Sequence, residues 1–404
     1  MNGVEVWLDE HEVGWLKPAD ASRNLSLAYL ERWTAEVLAF PLAPSLPLPP
    51  RGGPGSESAT AAVQAFFDHL LPSGAARLRT FAALGLREDD RYGALRLMGR
   101  DLPGAVRLIA DGLQRPAGPV QRAIDRAELS ERLRHRDTVP FAVWDGQVRG
   151  ALGGEQDQLA VYVERDGGWH LADGPQMAST HVIHPAPPGD GTNEADDQPF
   201  NDYFCMRLAA CVGLDVAPVQ LHRVPEPVLL VERPDRQRLE DGRVRRLHTI
   251  NACQALGVPP ADQDDVSLAQ LFSLLAHSPA PLVDSRALLR RSLFQQLIGR
   301  GAPHAAELSF FVDHGGLRLA PACGFGSRRG YGTHVAADHW AGIARDCDVP
   351  LRSLIQELKR MAEAIRTETA VLTASLAGEV PRQVLDGMME RVTLACERQA
   401  EALE

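Results

Sequence analysis

The stretch at residues 227–236, Pro-Val-Leu-Leu-Val-Glu-Arg-Pro-Asp-Arg, marks the place where the chain changes from strands to helices. Its apolar run predicts a strand, and the segments before it at 141–150, 158–174 and 180–185 predict short strands joined by Gly-rich turns. From about residue 245 onward helices dominate, including 247–258, 286–299 and the long runs between 351 and 404. This order predicts an α+β protein in which a mostly β lobe is followed by a mostly helical lobe.

A further unit precedes these two lobes. Residues 4–8 and 9–16 predict two strands joined by a turn, and residues 41–58, rich in Pro, Gly and Ser, predict an extended connection. Apolar residues at helical spacing predict helices at 60–74, 75–86 and 201–214. We therefore expect an N-terminal α/β subdomain at 1–115, a β-rich lobe at 116–240 and a helical lobe at 241–404.

The charged residues restrict both partners and mechanism. With 42 basic and 53 acidic residues among 404, the net charge is −11, which argues against a nucleic-acid binder that works by bulk electrostatics. Only two residues are lysine, Lys17 and Lys359, so any mechanism that needs a lysine in the middle of the chain is excluded.

The remaining composition indicates a protein of a reducing compartment. None of the six cysteines has the CxxC spacing of a zinc or redox site, so buried free thiols are expected. The N-terminus lacks a basic region followed by an apolar run, and no stretch approaches ~18 apolar residues. We expect a soluble, cytoplasmic protein without membrane contact.

General catalytic motifs are missing from the sequence. A Walker A loop needs a lysine that this region lacks, glycines 324, 326 and 330 do not have dinucleotide-binding spacing, and no GxSxG occurs. His181 and His184, three residues apart on a predicted strand, face opposite sides of the sheet, which favours structural roles over a metal pair. The acidic stretch 190–197 favours a solvated loop over a metal loop.

Seven phrases, in order along the chain, resemble the HipA family, the toxin kinases of bacterial toxin–antitoxin operons. They are Phe66–Pro72 with Gly74 and Arg77, Met98–Asp101 with Gly104–Val106, Thr180–Ile183, Asn201–Met206, Val231–Arg236, Arg246–Gly257, and Leu297–Ser309. The resemblance covers about residues 4 to 325. It implies a HipA-like, two-lobed, protein-kinase-like core with a small N-terminal α/β subdomain and a helical C-lobe. The family activity that it implies is that of an ATP-dependent serine/threonine kinase.

The resemblance fails at the residues that carry the family's chemistry. His184 stands where the family has the lysine that contacts the nucleotide phosphates. In the loop that resembles the catalytic loop, Ala302 replaces the catalytic aspartate, Ala306 the lysine and Glu307 the metal-binding asparagine. Gly324 stands where the family has a metal-binding aspartate.

The phosphate-binding loop of the family resembles residues 151–158, where Ala151 replaces its regulatory serine and Gln158 its lysine. The candidate nucleotide-binding residues are Gly153, Gly154, Gln156, His184 and Glu232, and Glu307 is the candidate for holding a cation. Losing one charged group of a phosphoryl-transfer site can cost on the order of 10³-fold in rate. Since several such groups are replaced, the sequence predicts a pseudokinase with no required cofactor and weak or no binding of ATP and magnesium.

Three functions follow from this interpretation. The favoured one is a catalytically silent protein that binds an antitoxin-like DNA-binding protein, a kinase homologue or a substrate protein, with no direct contact to nucleic acid. The second is an active serine/threonine kinase that uses other carboxylates, for which Asp313 and Asp196-Asp197 are the candidates. The third is a switch that binds ATP without catalysis.

Arg233, Asp235 and Arg236 are expected to form a structural ion-pair network at the hinge between the lobes.

Overall fold

Four antiparallel strands form the sheet of the N-terminal subdomain: β1 (Val4–Leu8), β2 (His11–Pro18), β3 (Leu25–Tyr29) and β4 (Val106–Ala110), in the order β3-β2-β1-β4. The computed structural model describes residues 3–19, 24–50, 60–110, 120–150, 153–174, 177–187, 197–301, 303–326 and 337–401. Along β1 the residues Val4, Val6 and Leu8 are buried and alternate with partly exposed ones, so one face of the sheet covers the core.

Four helices complete this subdomain: α1 (Glu31–Thr34), α2 (Thr60–Asp68), α3 (Gly74–Ala83) and α4 (Arg91–Met98). Phe66 and Phe67 of α2 pack edge to face with ring centroids 5.1 Å apart. Their hydrophobic core continues into residues of the helical lobe such as Ile250, Cys253 and Phe310. The subdomain is therefore packed against the start of the C-lobe through shared apolar side chains.

The central lobe contains a six-stranded antiparallel sheet. Its strands are β5 (Val120–Ala123), β8 (Leu159–Val163), β9 (Trp169–Asp173), β10 (His181–Pro185), β11 (Val219–Arg223) and β12 (Pro227–Glu232), in the order β11-β12-β10-β8-β9-β5. The hairpin β6 (Val143–Trp144) with β7 (Gln147–Val148) and the helix α5 (Arg126–Arg134) accompany it. Leu129 and Leu133 of α5 pack with Trp144 in the hydrophobic core beside the sheet. The sequence analysis did not predict α5.

The rest of the chain is mostly helical. Its helices are α6 (Gln198–Cys211), which precedes β11, and then α7 (Ala252–Leu256), α8 (Leu268–Leu274), α9 (Pro281–Leu297), α10 (Ala337–Asp346), α11 (Leu351–Ser375) and α12 (Arg382–Glu401). Short 3₁₀ turns occur at Pro260–Asp265, Leu275–His277 and Ala305–Glu307. Phe204 of α6 and Phe294 of α9 share one core with Trp340 and the last two helices. The α+β, two-lobed prediction is confirmed.

Small strands also occur beside these helices: the pair β13 (Arg236–Arg238) and β14 (Val244–Arg246), and the sheet β15 (Thr249–Asn251), β16 (Ser309–Asp313) and β17 (Gly316–Leu319). The prediction of a helix throughout 247–258 was therefore wrong at its start. Thr249 and Ile250 pair with β16, and the helix begins only at Ala252 because Asn251 and Gln254 form a reciprocal capping box. None of the described helices combines the length and apolarity needed to cross a membrane.

A buried network of charges joins the subdomain to the hinge that follows β12. Arg233 donates to Asp235 at 2.8 and 3.0 Å and to the Leu102 carbonyl, and Arg236 donates to Asp101 at 2.9 Å. The Gly104 N–H donates to Asp235 at 2.7 Å. Although burial opposes ionisation, these two guanidinium groups hold the pKa values of both carboxyl groups below their usual range. The expected hinge network is present.

Gly104 is where the subdomain meets this network, and its replacement tests the junction. Its φ is +70°, and a Cβ there would lie 2.4 Å from the Thr249 carbonyl oxygen. We expect Gly104→Ala to lower the free energy of unfolding by about 2–5 kcal/mol, combining backbone strain of about 1–2 kcal/mol with overpacking of about 1–3 kcal/mol. Urea unfolding followed by circular dichroism measures this change.

Gly85 is the matched control, because its φ is +68° and nothing lies within 4 Å of the position of its Cβ. Gly85→Ala keeps the backbone strain without the contact and is expected to cost only about 1–2 kcal/mol. Equal losses in the two variants would contradict a close junction at Gly104.

Candidate functional site

His184 lies on β10, in the position where the resemblance places the phosphate-binding lysine. It pairs with Leu229 of β12, and its side chain is partly buried. Burial lowers its pKa to about 4, so the imidazole is neutral at neutral pH. A neutral ring does not supply the positive charge that nucleotide phosphates need at this position.

Neither lysine of the chain substitutes for it. Lys17 lies on β2 of the subdomain sheet and pairs with Ser26, and Lys359 lies exposed on α11 of the helical lobe. Neither belongs to the six-stranded sheet that carries His184.

The loop that resembles the catalytic loop joins the end of α9 to β16. Ala302 lies outside the described residues, and Ala306 is partly buried in the short 3₁₀ turn. Glu307 projects outward, and its carboxylate accepts a hydrogen bond from Arg300 at 2.6 Å. The loop thus places the guanidinium group of Arg300 beside the candidate metal ligand Glu307, so the negative charge of Glu307 is paired within the chain. The sequence analysis did not identify Arg300, because its pairing depends on how the loop turns back.

His304, in the same loop, points to the surface. Its Nδ1 lies 3.2 Å from Asp264 Oδ1 in the neighbouring 3₁₀ turn, and both side chains are largely exposed. This contact joins the ring to a residue outside the loop.

Gly324 lies in open space: nothing is within 4 Å of the position that a Cβ would occupy. Two residues later, a Cβ on Gly326 would lie 2.1 Å from Asp202 Oδ1, so the first turn of α6 packs directly against this segment. The Asp202 carboxylate accepts a hydrogen bond from Gln198 at 2.6 Å. The sequence analysis considered this residue only as part of the segment Asn201–Met206. The position of the missing aspartate is therefore empty but accessible.

The loop that resembles the phosphate-binding loop is docked on the N-terminal subdomain. Ala151 lies outside the described residues. A Cβ on Gly153 would lie 2.4 Å from the His69 carbonyl oxygen, and the Gly154 carbonyl accepts from the Ser73 N–H at 2.9 Å. Gln156 is exposed, while Asp157 pairs with Arg79 of α3 at 3.0 Å. The backbone groups of this loop are thus partly used in binding the subdomain.

The other candidate residues lie apart from these loops. Glu232 is exposed at the end of β12, opposite His181 in the register of β10. Asp313 accepts from the Gly315 N–H at 2.7 Å in the β16–β17 turn and lies 3.4 Å from Arg318. Asp196 lies outside the described residues, and Asp197 immediately precedes α6. Among the described residues, no group of three or more His, Cys, Asp or Glu could hold a metal ion.

The titration of His184 tests the electrostatics of the site. Because its folded pKa of about 4 lies below the ordinary value of about 6.5, the unfolded chain binds the proton first as the pH falls. The contribution of His184 to the free energy of unfolding therefore has its full value above pH ~6.5 and decreases as the pH falls toward ~4. Between pH 7.5 and 5 we expect His184 to account for about 2 kcal/mol of lost stability.

The measurement is urea unfolding of the parent and of His184→Gln at both pH values, together with NMR titration of the ring proton. A His184 resonance that titrates above pH 6 would show a charged ring available to phosphates and would contradict the interpretation.

Two family models match the chain: the HipA N-terminal domain over residues 4–109 and the HipA-like C-terminal domain over residues 150–392. Y4mE, a protein of Sinorhizobium fredii described as a putative kinase, is 34% identical over 333 residues, covering 79% of this chain and 75% of that protein. The serine/threonine-protein kinase toxin HipA of Shewanella oneidensis is 26% identical over 335 residues, covering 79% of this chain and 73% of the toxin.

The structure is similar to that of HipA in the complex of HipA, HipB and operator DNA from Shewanella oneidensis. The TM-score is 0.83 with 99% of both chains covered, and the sequence identity of 23% makes this a statement about the fold. The family models and the 34% identical relative, together with this shared fold, lead to one conclusion. The chain belongs to the HipA family and has that family's two-lobed, kinase-like α+β fold.

Proposed function

We propose that this chain is a HipA-family pseudokinase that acts by binding a partner protein instead of by transferring phosphate. The observation that carries the proposal is the pairing of Glu307 with Arg300 at 2.6 Å. In a phosphotransferase this position must offer an oxygen to a magnesium ion, which itself neutralises the phosphate charge. Here a guanidinium group of the same loop already binds one oxygen of the carboxylate, Oε1 of Glu307.

Three further features support the loss of catalysis. His184 is neutral at neutral pH, and Gly324 has no side chain that could serve as a second metal ligand. Ala302 has no group that could accept the proton of a substrate hydroxyl. Since each of these groups contributes on the order of 10³-fold or more, their joint absence leaves little rate even when the effects are strongly non-additive.

The retained fold supports a role in binding. The HipA of Shewanella oneidensis is known in complex with HipB and operator DNA. An antitoxin-like DNA-binding protein is accordingly the partner class we propose for this chain. Because the net charge is −11, contact with DNA would run through that partner.

Phosphotransfer is tested with the purified chain, magnesium and radiolabelled ATP, with the chain itself and a generic protein as acceptors. We expect no transfer above background, and a Kd for MgATP weaker than about 1 mM by calorimetry. Transfer by the parent that disappears in Asp313→Asn would contradict the proposal and support the active-kinase alternative.

A variant that restores the family residues is the positive control: His184→Lys, Ala302→Asp, Glu307→Asn and Gly324→Asp. The open space at Gly324 admits the new side chain, and removing Glu307 frees Arg300 from its pair. Tighter binding of MgATP by this variant than by the parent would show that the fold still forms a nucleotide site and that the side chains alone are missing.

Partner binding is tested by co-expressing the chain with DNA-binding proteins encoded beside it, followed by size-exclusion chromatography with light scattering. We expect a stable complex in the absence of nucleotide that is unchanged in Glu307→Gln, because the proposed role does not use the kinase site. A complex that forms only with MgATP would instead support the nucleotide-dependent switch.

A further inference from the structure

A cavity of about 110 Å³ lies where α4 of the subdomain meets the β6–β7 hairpin and β9 of the central lobe. Its walls carry three guanidinium groups, those of Arg100, Arg149 and Arg246, and two carboxylates, those of Asp101 and Asp173. The cavity is small, and the positive groups exceed the negative ones.

Both carboxylates are already paired with other arginines. Asp101 accepts from Arg236 at 2.9 Å and lies 3.6 Å from Arg233. Asp173 accepts from Arg100 at 2.6 Å. Neither carboxylate is therefore left to form a close ion pair with Arg149 or Arg246.

Arg149 has only distant partners. Its guanidinium nitrogens lie 3.7 Å from Asp145 and 3.9 Å from Asp173, beyond hydrogen-bond distance, and its buried Nε has no acceptor among the described residues. A buried N–H group without an acceptor costs free energy, so the site as described is incomplete.

Arg246 is in a similar position and more deeply buried, with 5% of its surface exposed. One terminal nitrogen donates to the Met177 carbonyl at 2.8 Å, whereas Nε has no acceptor among the described residues. No carboxylate oxygen of the described chain lies within ion-pair distance of this guanidinium. Burial lowers its pKa to about 9 although Asp101 raises it, and an anion in the cavity would raise it further.

We propose that this cavity binds a small tetrahedral oxyanion, of the size of inorganic phosphate or sulfate, through Arg149 and Arg246. Arginine N–H groups match the oxygens of such an ion in charge and geometry. A volume of about 110 Å³ exceeds what one water molecule needs but leaves no room for a nucleotide. None of these residues belongs to the kinase site, so the proposal is independent of the proposed function.

Such an ion would connect two units of the fold. Arg149 belongs to the central lobe, and Arg246 adjoins the network that holds the subdomain loop at Asp101. Binding to the folded chain alone stabilises it by mass action, so the thermal midpoint rises with the concentration of the ion.

The test is titration of the full chain with inorganic phosphate at constant ionic strength, using chloride as the balancing anion, by calorimetry and by thermal unfolding. We expect saturable binding of one ion and a rise of the midpoint. Arg149→Gln should weaken the affinity about tenfold or more, the effect of losing charge-assisted hydrogen bonds. Arg352→Gln, the same change on the exposed surface of α11, should leave the affinity unchanged.

A second variant keeps the test decisive if Arg149→Gln does not fold. Leu97 lines the cavity from α4 and is 40% exposed, so polar side chains are tolerated there. Leu97→Glu places a carboxylate beside the cavity and should lower the phosphate affinity, whereas the neutral Leu97→Gln should lower it much less. No saturable phosphate binding by the parent, or equal affinities in Leu97→Glu and Leu97→Gln, would overturn the proposal.

Discussion

The ion-pair network at the hinge is the interaction on which the rest of the molecule depends. Arg233 and Arg236 face Asp101 and Asp235; the two arginines and Asp235 are buried, and Asp101 is partly buried. Burying such charges is expensive, and removing one partner from a buried pair costs about 3–5 kcal/mol because the other charge is left uncompensated. The network therefore contributes little net stability but strongly opposes any other arrangement of the subdomain and the hinge.

Its position explains how the loops of the kinase site are held. The subdomain that the network fixes carries His69 and Ser73, which contact the glycines of the phosphate-loop segment. The same subdomain shares its hydrophobic core with Phe310 on the strand that follows the catalytic-loop segment. Loops on both sides of the site are thus placed by contacts within the chain itself, which use neither nucleotide nor metal.

The sequence was sufficient for most of the architecture because the apolar periodicities are regular. The strand pair at the N-terminus, the strands β8, β10 and β12 and the helices α2, α3, α6 and α9 all follow from local patterns. Two segments show why local patterns were not enough: the start of 247–258, which was assigned to a helix, and α5, which was not assigned. β15 is a strand only because β16, some 60 residues later, supplies its partner, and α5 lies in a charged segment whose few apolar residues face a distant sheet.

The candidate site divides in the same way. Substitutions such as Ala302 and Gly324 can be read directly from aligned phrases, since each needs only the identity of one residue. The pairing of Arg300 with Glu307 and the contact of Asp202 with the Gly326 segment could not be read this way. They depend on loop geometry, which the backbone fixes only after the surrounding elements have packed.

The Arg300–Glu307 pair also changes what the loop requires in order to fold. Carboxylates gathered around a metal site repel one another until the cation binds, so such a site is most stable when it is loaded. Here the loop carries its own positive charge on Arg300, 2.6 Å from the carboxylate. Under the proposed function, the positive charge beside Glu307 comes from the chain itself, so this carboxylate needs no magnesium ion to neutralise it. A loop neutralised in this way is compatible with the partner-binding role proposed above.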